Sequence, residues 1–262
     1  MQKIFKKSFI ATLLAHFIIS TPGKSQDNSH SSCDPAKDYS VIKKGEKKCI
    51  TGNSTITYLT LEGGTLIIDG NARINNLAID GGKILITKKS TALLPSMTLN
   101  DVMLSNNGSV TYMGNVKLTD GNSHIINETS ESKMDWGASE LTLIGKNATF
   151  VNNGAATIGT LRIESKSAKV ILGENSLTNV ENLISNSDNR ITVPQGSAKL
   201  NQTGYAQLPK SLTASIKLVI CPGSASELRA LSKNIGGYGK AKVLEKGCPI
   251  SPIPNHSTSS VN

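Results

Sequence analysis

Residues 59–70 read LTLEGGTLIIDG, and residues 77–87 read LAIDGGKILIT. In each stretch a short alternating strand is followed by an acidic residue, two glycines and a second short strand. Alternation of apolar and polar residues is typical of strands that bury one face. Gly-Gly favours a turn between them, because glycine adopts positive φ without steric cost. The same two-strand unit therefore occurs twice in succession.

Weaker copies of this unit continue to residue 193. Their first strands begin at residues 59, 77, 102, 116, 141, 161 and 183, which gives spacings of 18, 25, 14, 25, 20 and 22 residues. Repeats of this length, made of strands too short to bury a face alone, indicate coils stacked on one another. An antiparallel sandwich of hairpins is the alternative, but sandwiches do not normally repeat in sequence. We predict an all-β parallel solenoid of about seven short coils over residues 54–198.

The composition agrees with this fold class. Aromatic residues make up 4% of the chain, and there are 23 glycines, a mixture that suits many short strands and turns better than a helical bundle. The apolar content of 37%, regularly spaced, argues against a disordered chain.

The N-terminus has the pattern of a secretory signal. Lys3, Lys6 and Lys7 precede an apolar stretch over residues 8–20, which is too short to span a membrane comfortably. We therefore predict a signal peptide over residues 1–25, with cleavage near residues 20–26. The mature protein is then expected to be secreted, periplasmic or on the cell surface, with no transmembrane segment after signal removal.

The chain has four cysteines, Cys33, Cys49, Cys221 and Cys248. An even number in a secreted chain indicates disulfides, and four cysteines allow three pairings. Local pairing of Cys33 with Cys49 and of Cys221 with Cys248 is the simplest, and each bridge would close one end of the repeat region. The first pair marks an N-terminal cap over residues 26–53. No zinc site is expected, because there is no Cys-x-x-Cys motif or nearby histidine pair.

The repeat pattern breaks after residue 198. Residues 215–220 and 241–244 are predicted strands, and Ser224 with Glu227 forms a capping box that predicts a helix over residues 225–234. We expect a disulfide-stapled strand–helix–strand cap module over residues 199–250. A disordered tail is expected over residues 251–262.

The cap module carries the excess of positive charge. The chain has a net charge of +9, and four of these charges lie in residues 1–25, which leaves +5 (9 − 4). From residue 199 onward, eight basic and two acidic residues give +6, so the repeat region is near −1 (5 − 6). The basic face is either simply solvated or docks to an acidic glycan or membrane surface. No interleaved aromatic residues support nucleic-acid binding. The candidate ligand surface here consists of Lys217, Arg229, Lys233, Lys240 and Lys242.

Trp136 is a further candidate for ligand binding. It lies in a long outer segment, MDWG at residues 134–137. An exposed tryptophan could stack on a sugar ring, or the side chain could instead cover the coil beneath it. The second arrangement is the more frequent for a large aromatic residue.

No catalytic constellation is evident. Asp69, Asp80, Asp101 and Asp120 lie near turns, where aspartate is common for backbone reasons, and they occupy different positions in the repeat. No Ser-His-Asp grouping, metal site or cofactor site is expected. We therefore predict a protein that is not an enzyme.

The repeat resembles the passenger regions of bacterial autotransporters and haemagglutinin-like adhesins. The likeness is carried by residues 59–70, 77–87 and the weaker copies to residue 193, and it covers roughly residues 54–198. It implies a single-stranded, right-handed parallel β-helix with Gly and Asn at the turns. Those families are usually much longer, and autotransporters end in a membrane barrel, for which no run of strands is expected after residue 250.

The resemblance implies adhesion or another surface interaction, with a glycan or a host or cell-surface protein as the partner. A carbohydrate-active enzyme, either a polysaccharide lyase or a glycosidase, is the alternative, since such enzymes share the fold. That alternative requires carboxylates grouped with Arg or Lys on one face. Ice binding is a third possibility, but it needs a regular threonine ladder, and the TIT of residues 55–57 does not recur in register.

Overall fold

The computed structural model describes residues 33–120, 122–185, 190–193, 197–203, 206–207, 213–214, 217–222 and 241–243. The regular elements of these residues are all strands, and the named strands pair in parallel. The parallel β-solenoid predicted from the repeat is therefore confirmed. The predicted signal peptide and the predicted tail lie outside the described residues.

The strands are numbered along the chain. The first thirteen are β1 (Asp34–Pro35), β2 (Ser40–Lys43), β3 (Lys47–Ile56), β4 (Leu59–Glu62), β5 (Thr65–Ile74), β6 (Leu77–Asp80), β7 (Gly82–Ile86), β8 (Thr91–Leu94), β9 (Met97–Asn100), β10 (Val102–Asn106), β11 (Ser109–Tyr112), β12 (Val116–Asp120) and β13 (His124–Asn127). The others are β14 (Lys133–Asp135), β15 (Glu140–Leu143), β16 (Thr149–Asn152), β17 (Ala155–Ile163), β18 (Lys169–Leu172), β19 (Leu177–Ser185), β20 (Arg190–Val193), β21 (Ser197–Gln202), β22 (Ala206–Gln207), β23 (Thr213–Ala214), β24 (Lys217–Pro222) and β25 (Ala241–Val243).

Each coil contributes a strand to each of three faces. The first face contains β1, the first halves of β3 and β5, and the whole strands β7, β10, β13, β16, β18, β20 and β23. The second face contains the second halves of β3 and β5, the first halves of β17 and β19, and the whole strands β8, β11, β14, β21, β24 and β25. The third face contains the second halves of β17 and β19 and the whole strands β2, β4, β6, β9, β12, β15 and β22.

The two-strand unit inferred from the sequence is therefore incomplete, because a coil has three strands. The second face was missed since small residues such as Ala72, Ala92 and Ala156 occupy its inward positions and weaken the apolar signal. The described residues form about eight coils rather than about seven.

The uneven spacing predicted for the first strands has the same origin. The strand β10 was assigned to the wrong face, and β9 was overlooked. Met97 of β9 lies 20 residues after Leu77 and 19 before Val116, which replaces the apparent spacings of 25 and 14. On the first face the steps are 18, 20, 21, 25, 20 and 21 residues, along Leu66, Ile84, Leu104, Ile125, Phe150, Val170 and Ile191.

The parallel pairing extends past both limits predicted for the solenoid, residues 54 and 198. At the N-terminal side β1 pairs with β3, and β2 pairs with β4. At the C-terminal side β24 pairs with β21, and β25 pairs with β24. The predicted strands at 215–220 and 241–244 thus correspond to β24 and β25, and they lie in the second face. The predicted helix over residues 225–234 lies outside the described residues.

The predicted disulfide between Cys33 and Cys49 is confirmed. Its Cα atoms are 5.7 Å apart, and it ties the residue before β1 to the first long strand, β3. The strands themselves are in register beside it, with Pro35 opposite Cys49. The second predicted pair includes Cys248, which lies outside the described residues.

The core is filled by inward side chains that stack from coil to coil. Leu59, Leu61, Leu66 and Ile68 of the stretch at residues 59–70 are all fully buried. Each strand buries alternate residues, so stacking coils at about 4.8 Å per step lines up aliphatic ladders and pairs the backbone amides between coils. No coil can bury these side chains alone, and the fold is therefore stable only as a stack.

A polar ladder interrupts this apolar core. Asn106, Asn127 and Asn152 end three successive strands of the first face, and all three are 0% exposed. The Nδ2 of Asn106 donates to the Oδ1 of Asn127 at 2.9 Å, and the Nδ2 of Asn127 donates to the Oδ1 of Asn152 at 2.8 Å. The amide of Asn127 also donates to the carbonyl oxygens of Ser132 and Ala155. The buried amides thus satisfy both each other and the backbone of the turn.

Glycine is required at the turn that holds this ladder. In both Asn-Asn-Gly turns, at residues 106–108 and 152–154, the side-chain Oδ1 of the first asparagine accepts from the backbone N–H of the glycine. A Cβ on Gly108 would lie 2.3 Å from the carbonyl oxygen of Ser90, and one on Gly154 would lie 2.3 Å from that of Ser132. The turns of adjacent coils are therefore packed backbone against backbone.

Replacing the central amide of the ladder should destabilise the fold strongly. Asn127→Ala removes the buried hydrogen bonds that Asn127 makes with the side chains of Asn106 and Asn152 and with the carbonyl oxygens of Ser132 and Ala155, so we expect the free energy of unfolding to fall by about 3 kcal/mol. Chemical denaturation followed by circular dichroism measures this loss. The matched change Asn100→Ala, at the exposed end of β9, should cost less than about 0.5 kcal/mol. Equal losses for the two variants would contradict the role assigned to the ladder.

Candidate functional site

Two tyrosines form an exposed aromatic pair at one corner of the N-terminal coils. Tyr39 precedes β2 and is 73% exposed, whereas Tyr58 precedes β4 and is 39% exposed. Their ring centroids are 6.2 Å apart and their planes differ by 23°. Because the two residues occupy the same position in successive coils, their rings stack on one another and form an exposed aromatic pair, which we call the tyrosine platform.

The backbone beneath the platform is held in place. The N–H of Tyr39 donates to the carbonyl oxygen of Tyr58 at 2.8 Å. The carboxylate of Asp38 accepts from both the backbone N–H and the hydroxyl of Thr57. Tyr39 has a φ of 60°, a left-handed conformation that is uncommon for a bulky residue. Such backbone strain persists where surrounding contacts enforce it, and it is concentrated at functional sites.

The third face is interrupted next to the platform. The strands β2, β4 and β6 form a sheet of their own, and β6 makes no ladder with β9, although the two strands are neighbours. Pro95, shortly before β9, contributes no backbone N–H, which removes one donor at this point. We call this break between β6 and β9 the seam.

The surface is concave along the seam. One depression of about 520 Å³ is lined by Tyr58, Asn75, Asn76, Leu77, Ala78, Pro95, Ser96 and Met113. A second, of about 500 Å³, shares Leu77, Ala78 and Ser96 with the first and continues along Ile79, Met97, Thr98, Asn115 and Lys117. The shared residues make the two depressions one shallow groove that begins at the platform.

The groove is lined by both apolar side chains and polar amides. The side chain of Asn76 donates to the carbonyl oxygen of Thr57 at 3.0 Å, and the side-chain oxygen of Asn115 accepts from the N–H of Glu140 at 2.9 Å. Each amide is therefore fixed in position and keeps further hydrogen-bonding capacity for a ligand. Lys117 is the one charged residue among those that line the groove. The lining of the groove therefore carries little charge.

The tryptophan predicted as a ligand surface is in the core instead. Trp136 is 1% exposed, and its ring stacks on Tyr112 at 4.3 Å and meets Phe150 edge-on at 5.9 Å. Burial likewise raises the pKa of the Tyr112 hydroxyl far above its usual range. Trp136 covers the coil below, the second of the two arrangements considered from the sequence, and it is not available for stacking on a sugar.

The basic residues predicted as a ligand surface are not brought together by any described contact. Lys217 is the first residue of β24, and Lys242 is the middle residue of β25. Arg229, Lys233 and Lys240 lie outside the described residues.

The tyrosine platform was not predicted from the sequence. The sequence feature that could have indicated the platform is Tyr58, which lies immediately before Leu59, the first apolar residue of the repeat at residues 59–70.

A carboxylate does meet an arginine on the third face, which the sequence did not reveal. The Nε of Arg162 donates to Glu140 Oε1 at 3.0 Å, and the Nη2 of Arg162 donates to Glu140 Oε2 at 3.4 Å. The hydroxyl of Thr142 donates to the same Oε1 at 2.5 Å, and Glu164 lies 3.9 Å from Arg162. Partial burial acts to raise the pKa of Glu140, but the hydrogen bonds from Arg162 and Thr142 outweigh it and lower the pKa. Glu140 is therefore an ionised, paired carboxylate.

Three further titratable groups on the described coils are His124, Asp69 and Asp101. His124 on the first face has its pKa lowered by partial burial and by Lys169, an effect that Asp101 partly offsets. Asp69 accepts from the hydroxyl of Thr87, and Asp101 has a φ of 53° at a corner. No cluster of three or more His, Cys, Asp or Glu side chains suited to a metal occurs among the described residues.

Comparison with family models, with curated proteins and with solved structures gave no match to this chain. In the described residues we also find no helix with the length and apolar character that crossing a membrane requires.

The Glu140–Arg162 pair should contribute to stability in a pH-dependent way. The pKa of Glu140 is lower in the folded than in the unfolded protein, so its contribution is complete above the unfolded pKa of about 4.3 and is lost as the pH falls through the folded pKa. Glu140→Gln should therefore lower the free energy of unfolding by about 0.5–1 kcal/mol at neutral pH, since the pair is partly exposed. Denaturation at several pH values should show this difference shrink under acidic conditions.

Glu131→Gln is the matched control, because the ion pair of Glu131 with Lys88 has both side chains 70% exposed. We expect no measurable effect of this change at any pH. A loss for Glu140→Gln that is independent of pH would show that the pair does not act through its charge.

Proposed function

We propose that this protein is a secreted or surface-associated, non-enzymatic β-solenoid that binds carbohydrate chains through the tyrosine platform and the seam groove. One observation carries the proposal: two exposed tyrosine rings, nearly parallel, lie at the end of a shallow groove lined by apolar side chains and fixed amides. Adhesion to a glycan-bearing surface is the biological role that fits such a site.

The chemistry of sugars explains why this surface suits them. A pyranose ring has an apolar C–H face that stacks on an aromatic ring, while its hydroxyls need donors and acceptors at the edge. Tyr39 and Tyr58 supply the aromatic surface, and Asn76 and Asn115 supply amides beside the groove. A chain of sugars can follow the groove because the platform stands at its end and the floor continues along Ala78 to Met97.

The energetics favour binding by stacking. Tyrosine has few rotatable bonds, so ordering it costs little, and the backbone bonds between residues 39 and 58 hold the platform before a ligand arrives. The groove is open and shallow, which suits binding of the side of a polymer rather than enclosure of a small molecule.

The compartment and the family likeness complete the proposal. The disulfide between Cys33 and Cys49 fits an oxidising environment, as the predicted signal peptide requires. The proposal also includes a right-handed coil, membership of the autotransporter- and haemagglutinin-like class, and a basic C-terminal module with a helix. Right-handedness is favoured by the general preference of parallel crossover connections.

Arg162 with Glu140 and Glu164 is the observation that favours the alternative, a polysaccharide lyase or glycosidase. A glycosidase needs one carboxyl with a raised pKa to act as the acid, whereas the pKa of Glu140 is lowered. Release of reducing ends or unsaturated products from polysaccharides, abolished by Glu140→Gln, would support the enzyme over the binding protein.

Removing the platform should remove binding. We expect Tyr39→Ala and Tyr58→Ala each to weaken glycan affinity about five- to tenfold, because stacking of one ring contributes about 1–1.5 kcal/mol. A glycan array screen identifies the best binder, and isothermal titration of the mature protein with that oligosaccharide measures the affinity. Tyr58→Phe should retain most of the affinity, since it keeps the ring.

Ile144→Ala is the matched control, since Ile144 is also 39% exposed but lies on a different coil. Its affinity should equal that of the unmodified protein. Binding that survives the double change Tyr39→Ala and Tyr58→Ala would refute the proposed site, and an array without any binder would refute the proposed ligand class.

A further inference from the structure

The outer surface of the first face carries a ladder of aliphatic side chains. In successive coils, Ile67 pairs with Leu85, Leu85 with Ser105, Ser105 with Ile126, Ile126 with Val151, and Val151 with Ile171. The five aliphatic residues point outward and are half-buried against one another, and we call them the outer strip (Ile67, Leu85, Ile126, Val151 and Ile171). Ser105 interrupts the strip and is covered by Glu128, whose carboxylate accepts from its hydroxyl at 2.7 Å.

The other two faces differ in the same positions. The outward residues of the third face in the described coils are mostly polar or small: Thr60, Ala78, Thr98, Lys117, Thr142 and Arg162, with Val41 and Ile184 as aliphatic exceptions at its two ends. The second face shows Asn71, Thr91, Ser109 and Lys133, and its aliphatic outward residues Leu93 and Leu177 do not lie in adjacent coils. A face that only meets water has no need of aliphatic residues in coil after coil, so the first face is distinguished from both others.

The two borders of the outer strip carry opposite charges. Two residues before the strip, each coil presents Lys47, Thr65, Lys83, Met103, His124, Thr149 or Lys169, a border whose charged members are basic. Two residues after it, the coils present Thr51, Asp69, Thr87, Asn107, Glu128 or Asn153, a border whose charged members are acidic. The face is therefore apolar in the middle, basic on one side and acidic on the other.

We propose that a second copy of this chain covers the outer strip, in a homodimer whose two-fold axis runs parallel to the solenoid axis. Rotation about that axis turns the two strips face to face and exchanges left and right, so the basic border of one copy meets the acidic border of the other. A two-fold axis perpendicular to the solenoid axis would instead place basic against basic. This inference goes beyond carbohydrate binding, which uses a different surface.

The polar residues of the two borders meet in this arrangement. Coils of the two copies lie at equal height, so the neutral imidazole of His124 of one copy faces the carboxylate of Glu128 of the other. Asp69 lies one coil from both Lys47 and Lys83 of the second copy, about 5 Å along the axis. The outer strip lies on the axis itself, and Ile126 therefore meets Ile126 of the second copy.

The size of the strip sets the expected affinity. Six coils and the two borders cover roughly 30 Å by 15 Å, which buries about 900 Å² in total, below the roughly 1,200 Å² of stable specific interfaces and in the range of weak, transient ones. The dimer is therefore expected to dissociate in the micromolar range.

Sedimentation equilibrium of the mature protein over a wide concentration range tests the proposal. We expect a reversible monomer–dimer equilibrium, and Ile126→Lys should leave only monomer because it sets two ammonium groups against each other on the axis. Ile144→Lys, at an exposed residue away from the strip, is the control and should leave the dimer intact. A monomer at every concentration, or a dimer that Ile126→Lys does not weaken, would overturn the proposal.

Charge reversal at the two borders tests the orientation of the two copies, and it leaves the outer strip unchanged. Lys83→Glu and Asp69→Lys should each weaken dimerisation about tenfold, since each opposes like charges, and the double variant should recover most of the affinity. Circular dichroism and thermal denaturation establish that each variant is folded. If Lys83→Glu strengthens the dimer, or if the double variant is no better than the singles, the proposed axis is wrong.

Discussion

The in-register stacking of one coil on the next is the constraint on which this structure depends. No strand here can bury its own apolar face, and the backbone groups of each coil find their partners only in the coils above and below. A slip by one residue would turn every inward Leu and Ile toward water. The buried ladder of Asn106, Asn127 and Asn152 adds a polar condition to this register, because its amides can be satisfied only when the three coils are aligned.

Regular stacking also shapes the surfaces. Each outward position recurs in the next coil, so a side chain type that is repeated becomes a continuous stripe, as in the outer strip. A site arises where the repetition is broken. At the seam, β6 and β9 part beside Pro95, and the tyrosine platform stands at the end of the groove that this break produces. The proposed carbohydrate site thus depends on a break in the stacking of the coils, whereas the proposed dimer surface depends on its regular repetition.

Much of this fold can be predicted from the sequence, for physical reasons. Strong alternation, as in Leu59 to Ile68, marks strands that bury large side chains, and it identified the solenoid and two of its faces. The second face escaped because inward alanines give no contrast with polar neighbours. Trp136 was placed in an outer loop, since its contacts with Tyr112 and Phe150 join different coils and depend on a register that local sequence does not define. The pairing of Tyr39 with Tyr58 and of Glu140 with Arg162 was hidden for the same reason.

The most direct test of the central claim is the environment of the side-chain amide of Asn127, measured by nuclear magnetic resonance. If the coils stack in the register described, its Nδ2 protons will exchange with solvent as slowly as core backbone amides, and they will show nuclear Overhauser contacts to the side chains of both Asn106 and Asn152. Exchange at the rate of an exposed asparagine, without contacts to the residues 21 positions before and 25 positions after it, would contradict the stacked asparagine ladder and with it the register of the solenoid.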